Sequence, residues 1–331
     1  MMILGTTIKD IAKLAGVSPA TVSRVLSGQT DFYSEKTAKK VQQAVKKLGY
    51  RKNTNAVELV TQKSHVLAVI ISTIQTNAAD QIINGIQETA IKNNLDVIIL
   101  YAGEKNADLQ KKALKTVIER SVMGILLVAI DLNLQNEALL KSAKIPFLFL
   151  SIGFLENRFP FISSDDFKVG QEATQYLINK GHTKIGFAAA NSESNIGQLR
   201  LAGYWKALSQ HHIKPKLDWA YDGEYTYEDG IQAMNYYHQH TDLTAAVASS
   251  DLAAIGMLNQ AKSLGIRIPE DFAVISIDGT FLCTIMRPQI TSVTQVFREM
   301  GVKGVETLVK QTSKPFKSLY TPIKITERES S

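Results

Sequence analysis

The stretch TIKDIAKLAGVSPATVSR, residues 7–24, constrains the fold of this chain of 331 residues more than any other. Thr7 and Asp10 stand at the spacing of a capping box, and apolar residues then recur at helical intervals up to a glycine that fits a tight turn. Ser18 is suited to cap a second helix, with Pro19 at its first position, where a missing N–H costs nothing. The stretch therefore predicts two short helices joined by a turn.

The second predicted helix has one apolar and one polar face. Val22, Val25 and Leu26 fall together on the apolar side. The polar side is suited to a DNA major groove, where Arg pairs with guanine, Ala touches a thymine methyl and hydroxyls hold phosphates. The alternative is a helical hairpin with a solvated face. The DNA-contact candidates in this region are Thr7, Ser18, Pro19, Ala20, Thr21, Ser23 and Arg24.

The positive charge of the chain is concentrated in the same region. Residues 1–64 contain 11 Lys and Arg against 4 Asp and Glu, whereas the whole chain has a net charge of only +6. A basic segment attached to a neutral body is the charge distribution expected of a DNA-binding domain. A third helix is predicted over Glu35–Leu48, between a Ser34 cap and Gly49.

These residues resemble the helix-turn-helix of the lactose/galactose repressor (LacI/GalR) family of bacterial transcriptional regulators, and the likeness continues through the chain. The resemblance implies a dimeric regulator whose DNA affinity is set by a small molecule, commonly a sugar. It also implies that residues 52–63 are a hinge that becomes helical in the DNA minor groove. There Leu59 would wedge between base pairs, with Asn53 at the start of the hinge and Ala56 within it.

Beyond the hinge, short apolar runs alternate with helical stretches, which is typical of parallel strands covered by helices on both faces. The runs are 66–71, 97–100, 124–129, 146–150, 184–190, 245–248 and 273–277. They are too many for one ordinary sheet, and the series restarts after Ser163. We therefore predict two doubly wound α/β subdomains with a cleft between them. The resemblance likewise implies a core like a periplasmic sugar-binding protein, with crossings near Ser163, Ser292 and Pro322.

The expected organisation thus has three parts. They are a helix-turn-helix domain (1–51), a hinge (52–63) and an effector-binding and dimerisation core (64–331). Within the core, the expected N-subdomain covers about 64–163 and 293–322, and the C-subdomain about 164–292 and 323–331.

Polar residues follow nearly every predicted strand. Each is most often a helix cap or turn residue, but in open α/β sheets ligands bind beyond the carboxyl ends of the strands, where these residues converge. Hydroxyl, carboxylate and amide groups there suit a polyhydroxylated ligand.

The resemblance selects individual members of the predicted ligand site. Arg200 and Asp278 match ligand-binding positions and, paired, could grip vicinal hydroxyls. Tyr225 matches an aromatic residue that stacks on the ligand. The alternatives are a surface salt bridge for Arg200 and a packed rim aromatic for Tyr225. Three serines complete the predicted effector site: Ser72, Ser151 and Ser250.

The predicted protein is a cytoplasmic homodimeric repressor of a carbohydrate-utilisation operon. Its expected partners are a pseudo-palindromic operator in double-stranded DNA and a small sugar, with no cofactor, metal or membrane. The sequence shows no phosphate-binding Gly-rich loop, Cys/His metal spacing or GxSxG elbow, so an enzyme is not indicated. The single cysteine, Cys283, permits no internal disulfide.

Two alternatives are binding proteins rather than enzymes. A pure solute-binding protein is disfavoured by the basic N-terminal region and by the lack of a signal-peptide pattern. The other alternative stays within the family: a global carbon-control regulator whose DNA binding is tuned by a phosphorylated carrier protein.

Overall fold

The computed structural model describes residues 6–50, 64–72, 77–103, 106–120, 122–154, 158–310 and 316–331. The chain divides into two compact units, Met1–Ser64 and His65–Ser331, which we call the head and the core. The predicted hinge residues Asn53, Ala56 and Leu59 lie outside the described residues.

The head contains three helices: α1 (Ile8–Ala15), α2 (Pro19–Leu26) and α3 (Glu35–Leu48). A 3-10 turn, Thr30–Phe32, follows α2. The capping box, the Ser18 cap and the bounds of α3 are as predicted. The helices enclose a small core of apolar side chains: Ile11, Ala12, Ala15, Val22, Val25, Val41 and Ala44.

The core of the protein contains two six-stranded sheets, each covered by helices. The first sheet has the order β11-β5-β4-β3-β1-β2, and its paired strands are parallel. Its strands are β1 (Val66–Ile71), β2 (Asp96–Tyr101), β3 (Gly124–Val128), β4 (Phe147–Leu150), β5 (Phe161–Ser163) and β11 (Leu319–Tyr320). Helices α4 (Asn77–Lys92) and α12 (Phe297–Val309) pack on one face, and α5 (Ala107–Glu119) and α6 (Leu134–Ser142) on the other. We call this sheet with its helices the first half.

The second sheet has the order β12-β10-β9-β8-β6-β7, with only β12 antiparallel to its neighbour among the pairs described. Its strands are β6 (Ile185–Ala190), β7 (Ala220–Asp222), β8 (Ala245–Ala248), β9 (Ala273–Asp278), β10 (Thr291–Gln295) and β12 (Ile323–Thr326). Helices α7 (Asp166–Asn179) and α8 (Asn195–Gln210) cover one face, α9 (Tyr227–His240) and α10 (Asp251–Ser263) the other. A short helix, α11 (Leu282–Ile285), follows β9. This is the second half.

The chain passes between the halves three times among these elements: after β5, after β10 and between β11 and β12. We expected the second crossing near Ser292. Instead β10 stays in the second sheet to Gln295, because residues 291–294 pair with β9 and residues 292–295 pair with β12. The return therefore lies three residues later than expected. Within the described residues, no helix is both long and apolar enough to cross a membrane.

In three of the four helix layers described above, the neighbouring helices touch through glycines. A Cβ atom on Gly170 of α7 would overlap the carbonyl oxygen of Arg200 in α8, and one on Gly203 of α8 would overlap that of Phe167 in α7. The same two-way contact occurs between α4 and α12, at Gly85 and Gly301, and between α9 and α10, at Gly230 and Gly256. A Cβ atom on any of these four glycines would overlap a backbone carbonyl oxygen of the partner helix. The backbone of α8 is thus held directly against α7 at Arg200.

We expect Gly170→Ala to lower the free energy of unfolding by about 1–3 kcal/mol, because the methyl group must push α8 away from α7. The higher helix propensity of Ala would by itself raise the free energy of unfolding, so a decrease can be attributed to the helix contact. Urea denaturation followed by circular dichroism measures the change. Glu172→Ala, at an exposed position of α7, is the matched control. A variant at least as stable as the wild type would contradict the helix contact.

Candidate functional site

A cavity of about 530 Å³ lies between the two halves of the core, at the carboxyl ends of their parallel strands. Chain geometry explains its polar lining, because the residue after each strand is delivered to the same edge. All six residues of the predicted effector site line it: Ser72, Ser151, Arg200, Tyr225, Ser250 and Asp278. The structure thus brings together residues that are up to 206 positions apart in the chain.

Arg200 is buried beside this cavity and bound by two elements of the second half. Its Nε donates to Asp166 Oδ1 at 2.9 Å, and its Nη1 donates to the carbonyl oxygen of Ser249 at 2.9 Å. Burial lowers the pKa of the guanidinium, but Asp166, Asp278 and Tyr225 together more than offset this effect, so that the pKa is raised. Our expectation that Arg200 pairs with Asp278 was wrong in this respect: its ion-pair partner is Asp166. The reason is that Asp166, the first residue of α7, lies directly against α8.

Asp278 ends β9 and accepts a hydrogen bond at 2.9 Å from Gln295 Nε2. Burial raises the pKa of its carboxyl group to about 8, while the Arg200 charge opposes the rise and the Asp251 and Asp166 charges add to it. The carboxyl group therefore keeps its proton at neutral pH. It can then both donate and accept a hydrogen bond.

Asp251 was not in the predicted site, yet it holds the loop that follows Asp278. Its Oδ1 accepts from Ser276 Oγ at 2.6 Å and Cys283 Sγ at 3.1 Å, and its Oδ2 accepts from the backbone N–H of Thr280 at 2.6 Å. The carboxylate thus ties the start of α10 to β9 and α11. Burial, with the Asp251 charge adding, raises the pKa of the Cys283 thiol to about 12.

Tyr225 lies against Arg200 on the cavity wall. Its ring centroid is 6.0 Å from the guanidinium carbon, and its hydroxyl is 2.9 Å from Ser194 Oγ. Burial raises the pKa of the phenol, so the ring stays neutral. Ser250 is largely occupied by structural contacts, since its hydroxyl donates to the Tyr225 carbonyl at 2.6 Å and accepts from Ala253 N–H at 3.0 Å. Its side chain is therefore a helix cap that also lines the cavity.

The cavity edge carries unusual backbone conformations. Positive φ angles occur at Ala129 (49°), Ser151 (58°), Ala189 (60°), Tyr225 (63°) and Asp278 (111°). Four of these residues line the cavity, and all five lie in or close to the loops at the strand ends. Such conformations cost free energy and persist where the surrounding contacts impose them, which is typical of ligand sites.

The prediction missed several lining residues that come from helices rather than strand ends. Asn133 caps α6, Gln110 lies on α5 and Phe297 begins α12. Asn195, the first residue of α8, donates through Nδ2 to the carbonyl oxygen of Gly153 in the first half, at 2.8 Å. Its neighbour Ile196 packs against the apolar cluster of the first half. The start of α8 therefore bridges the two halves; only an asparagine near a helix start could have signalled it.

The head presents a second candidate surface. Val22 and Val25 of α2 are buried, whereas the predicted contact residues of the opposite face are exposed: Ser18, Pro19, Ala20, Ser23 and Arg24. Three hydroxyls of the predicted contact residues form hydrogen bonds within the head. Thr7 Oγ1 donates to Asp10 Oδ2 at 2.7 Å, and Thr21 Oγ1, half-buried, lies 2.9 Å from Ser18 Oγ. Ala20, Ser23 and Arg24 are exposed and take no part in these two bonds, so they can reach a DNA base.

Comparison with known proteins gives matches to both units. A model of the bacterial regulatory proteins of the lacI family matches residues 7–53, and a model of the periplasmic binding protein-like domain matches residues 174–331. Catabolite control protein A of Priestia megaterium is 30% identical over 94% of this chain and 94% of its own.

Two solved structures extend the comparison to the whole chain. The lac repressor dimer bound to operator and the anti-inducer ONPF is 27% identical, with a TM-score of 0.85 over 98% of each chain. The complex of the transcriptional regulator CelR with cellobiose is 26% identical, with a TM-score of 0.74 over 98% of this chain and 100% of that one.

The raised pKa of Asp278 predicts a pH effect on stability. Between the carboxyl's ordinary pKa and about 8 the folded chain binds the proton and the unfolded chain does not. The free energy of unfolding should therefore fall with rising pH, by at most about 1.4 kcal/mol per unit, and level off above the folded-state pKa.

Asp278→Asn removes this titration while keeping an acceptor for Gln295. Its urea midpoint should therefore vary less than that of the wild type between about pH 5 and about pH 8. At the upper end the variant should be the more stable protein. Asp80→Asn, at an exposed position of α4, is the control. Parallel pH curves for wild type and Asp278→Asn would contradict the buried, protonated carboxyl.

Proposed function

Because the chain belongs to the LacI family of bacterial regulatory proteins, we propose that it is a DNA-binding transcriptional repressor of carbohydrate-utilisation genes. A small sugar or sugar derivative bound in the cavity between the two halves sets its affinity for the operator. The observation that carries this proposal is the cavity of about 530 Å³, lined by a guanidinium, a neutral carboxyl, an aromatic ring and hydroxyls. Its volume lies within the range usual for small-molecule sites.

The lining suits a sugar without a phosphate group. Among the described lining residues Arg200 is the only cation, and its charge is already balanced by Asp166. A phosphate would bring two negative charges with no free positive partner, which is costly in a partly buried site. Neutral hydroxyls can instead accept from Arg200 and exchange hydrogen bonds with Asp278 and Asn195. The CelR–cellobiose complex supports the same ligand class for a related protein.

The head supplies the DNA contacts in this proposal. With α2 in the major groove, Arg24 faces a base edge and the cap of α2 faces the phosphates. One head covers a half-site, so a homodimer covers a pseudo-palindromic operator and combines two affinities. The lac repressor structure, a dimer bound to operator, supports this arrangement for a related protein. Binding to chromosomal DNA places the protein in the cytoplasm.

For sugar binding to change the affinity for DNA, the sugar must favour one arrangement of the two halves of the core. The contacts of Asn195 and Ile196 with the first half are made at the cavity rim. A sugar held by groups from both halves forms further contacts between them and so stabilises the arrangement that Asn195 and Ile196 already hold. A coupling of about 1–3 kcal/mol changes operator occupancy by roughly 5- to 150-fold. A phosphorylated carrier protein would not need this cavity, so the small ligand is the better-supported effector.

The first test is fluorescence anisotropy of a labelled duplex from upstream of the protein's own gene, at fixed salt, with a panel of neutral sugars. We expect one sugar to change the affinity, and Arg200→Lys to abolish that response, because Lys cannot form the planar contacts of a guanidinium. Arg24→Ala should lower DNA affinity by roughly 5- to 150-fold per half-site and leave sugar binding intact. Lys206→Ala, exposed on α8, is the control.

The outcomes separate the hypotheses. Weaker DNA binding with sugar identifies an inducer, and stronger binding a corepressor. A wild-type protein that binds DNA but responds to no small molecule would favour the carrier-protein alternative. A protein that binds no pseudo-palindromic duplex would overturn the proposal.

Asn195 offers a test of the contact between the halves. Asn195→Ala removes the hydrogen bond to the first half, and we expect sugar affinity to fall by about 2- to 10-fold. The radius of gyration of the sugar-free variant, measured by small-angle X-ray scattering, should exceed that of the wild type. Gln198→Ala is the matched control, because the amide of Gln198 bonds within the second half, to the Ser192 carbonyl. An unchanged radius of gyration would mean that this bond does not hold the halves together.

A further inference from the structure

An exposed aromatic ring lies beside the predicted DNA-reading arginine. The guanidinium carbon of Arg24 is 5.0 Å from the centroid of the Phe32 ring, which is the distance of a cation–π contact. Phe32 is 61% exposed, more than any other large apolar side chain in the described part of the head. Its neighbour Tyr33, by contrast, packs against the apolar cluster inside the head. Packing within the apolar cluster of the head therefore does not explain the position of Phe32.

The backbone fixes the ring over the last turn of α2. Gly28 has a φ of 71°, a conformation that glycine adopts without strain, and it reverses the chain after α2. The Gln29 N–H then donates to the Arg24 carbonyl at 3.1 Å, and the Phe32 N–H donates to the Gln29 carbonyl at 3.1 Å. Two consecutive hydrogen bonds thus connect the backbone of Phe32 to that of Arg24.

A ring face holds a guanidinium differently from a carboxylate. A carboxylate would occupy N–H donors and neutralise the charge, whereas an aromatic ring carries neither a net charge nor an oxygen that accepts from those donors. Within residues 6–50 no carboxylate forms an ion pair with Arg24, and the pair that is present there joins Lys39 to Glu35. The charge and the donors of Arg24 therefore stay available to DNA.

We propose that Phe32 is a positioning residue for DNA recognition, which holds the Arg24 guanidinium in the orientation that pairs with a guanine edge. Holding the side chain before binding reduces the conformational entropy that it loses in the complex. The inference rests on the proposed function, because it requires α2 to lie in the major groove. Its consequence is specific: loss of the ring weakens the reading of one guanine rather than the general attraction to DNA.

The test uses the full-length protein and a duplex that the wild type selects from a random pool. Anisotropy titrations at fixed salt compare this duplex, the same duplex with deazaguanine (which lacks the N7 acceptor) at each guanine in turn, and a scrambled duplex. The variants are Phe32→Leu, which keeps an apolar side chain without a ring, and Phe32→Tyr, which keeps the ring. Leu14→Ala is the matched control, because Leu14 is the other exposed large apolar side chain within residues 6–50.

We expect Phe32→Leu to weaken binding to the selected duplex by about 2- to 5-fold per half-site, the range of an exposed cation–π contact. Binding to the scrambled duplex should not change, and the penalty for deazaguanine at the Arg24-dependent position should shrink. Phe32→Tyr and Leu14→Ala should behave as the wild type does.

Two results would overturn the inference. One is an unchanged affinity and deazaguanine penalty in Phe32→Leu. The other is an equal loss on both duplexes, which would mean that Phe32 contacts the DNA backbone itself. Failure of the wild type to select any duplex would instead count against the proposed function, so the two failures are distinguishable.

Discussion

The geometry of the cavity depends on one buried ion pair. Arg200 of α8 reaches Asp166, where the chain has just entered the second half, and the carbonyl of Ser249, just beyond β8. A buried guanidinium is tolerated only with such partners, because an unpaired buried charge costs several kcal/mol. One side chain therefore fixes the relative positions of α7, α8 and the β8 loop. Asp278 and Tyr225 face the same guanidinium, whose charge opposes the rise that burial causes in the pKa of each group.

Much of the fold follows from hydrophobic pattern alone. The seven apolar runs coincide with β1, β2, β3, β4, β6, β8 and β9 to within one residue at each end. The five strands that were not predicted are short or polar: β5 and β7 have three residues, β11 has two, β10 reads TSVTQ and β12 reads IKIT. Such segments become strands because a neighbouring strand offers backbone partners. That information lies in the tertiary structure and not in the local sequence.

The site was predictable where topology determines it. The rule that ligands bind beyond strand ends, together with family resemblance, placed six residues that all line the cavity. The partner of Arg200 was not predictable, because it depends on the close approach of α7 and α8. The hydrogen bond from Asn195 to Gly153 was not predictable either, because it joins residues that are 42 positions apart in the chain. Phe32 escaped notice for a related reason: its backbone turn, rather than any motif, brings the ring to Arg24.

The reciprocal glycines between paired helices have a consequence for engineering. Helix α8 faces the cavity on one side and α7 on another. Arg200 takes part in both, because it lines the cavity and its carbonyl oxygen contacts Gly170 of α7. The glycine contacts leave no room for a larger side chain, so the three helix pairs resist sliding. Under the proposed function, libraries that diversify Asn133 or Ser151 would therefore alter which metabolite a biosensor reports without rebuilding its frame. Substitutions at the six glycines would instead destabilise such a sensor.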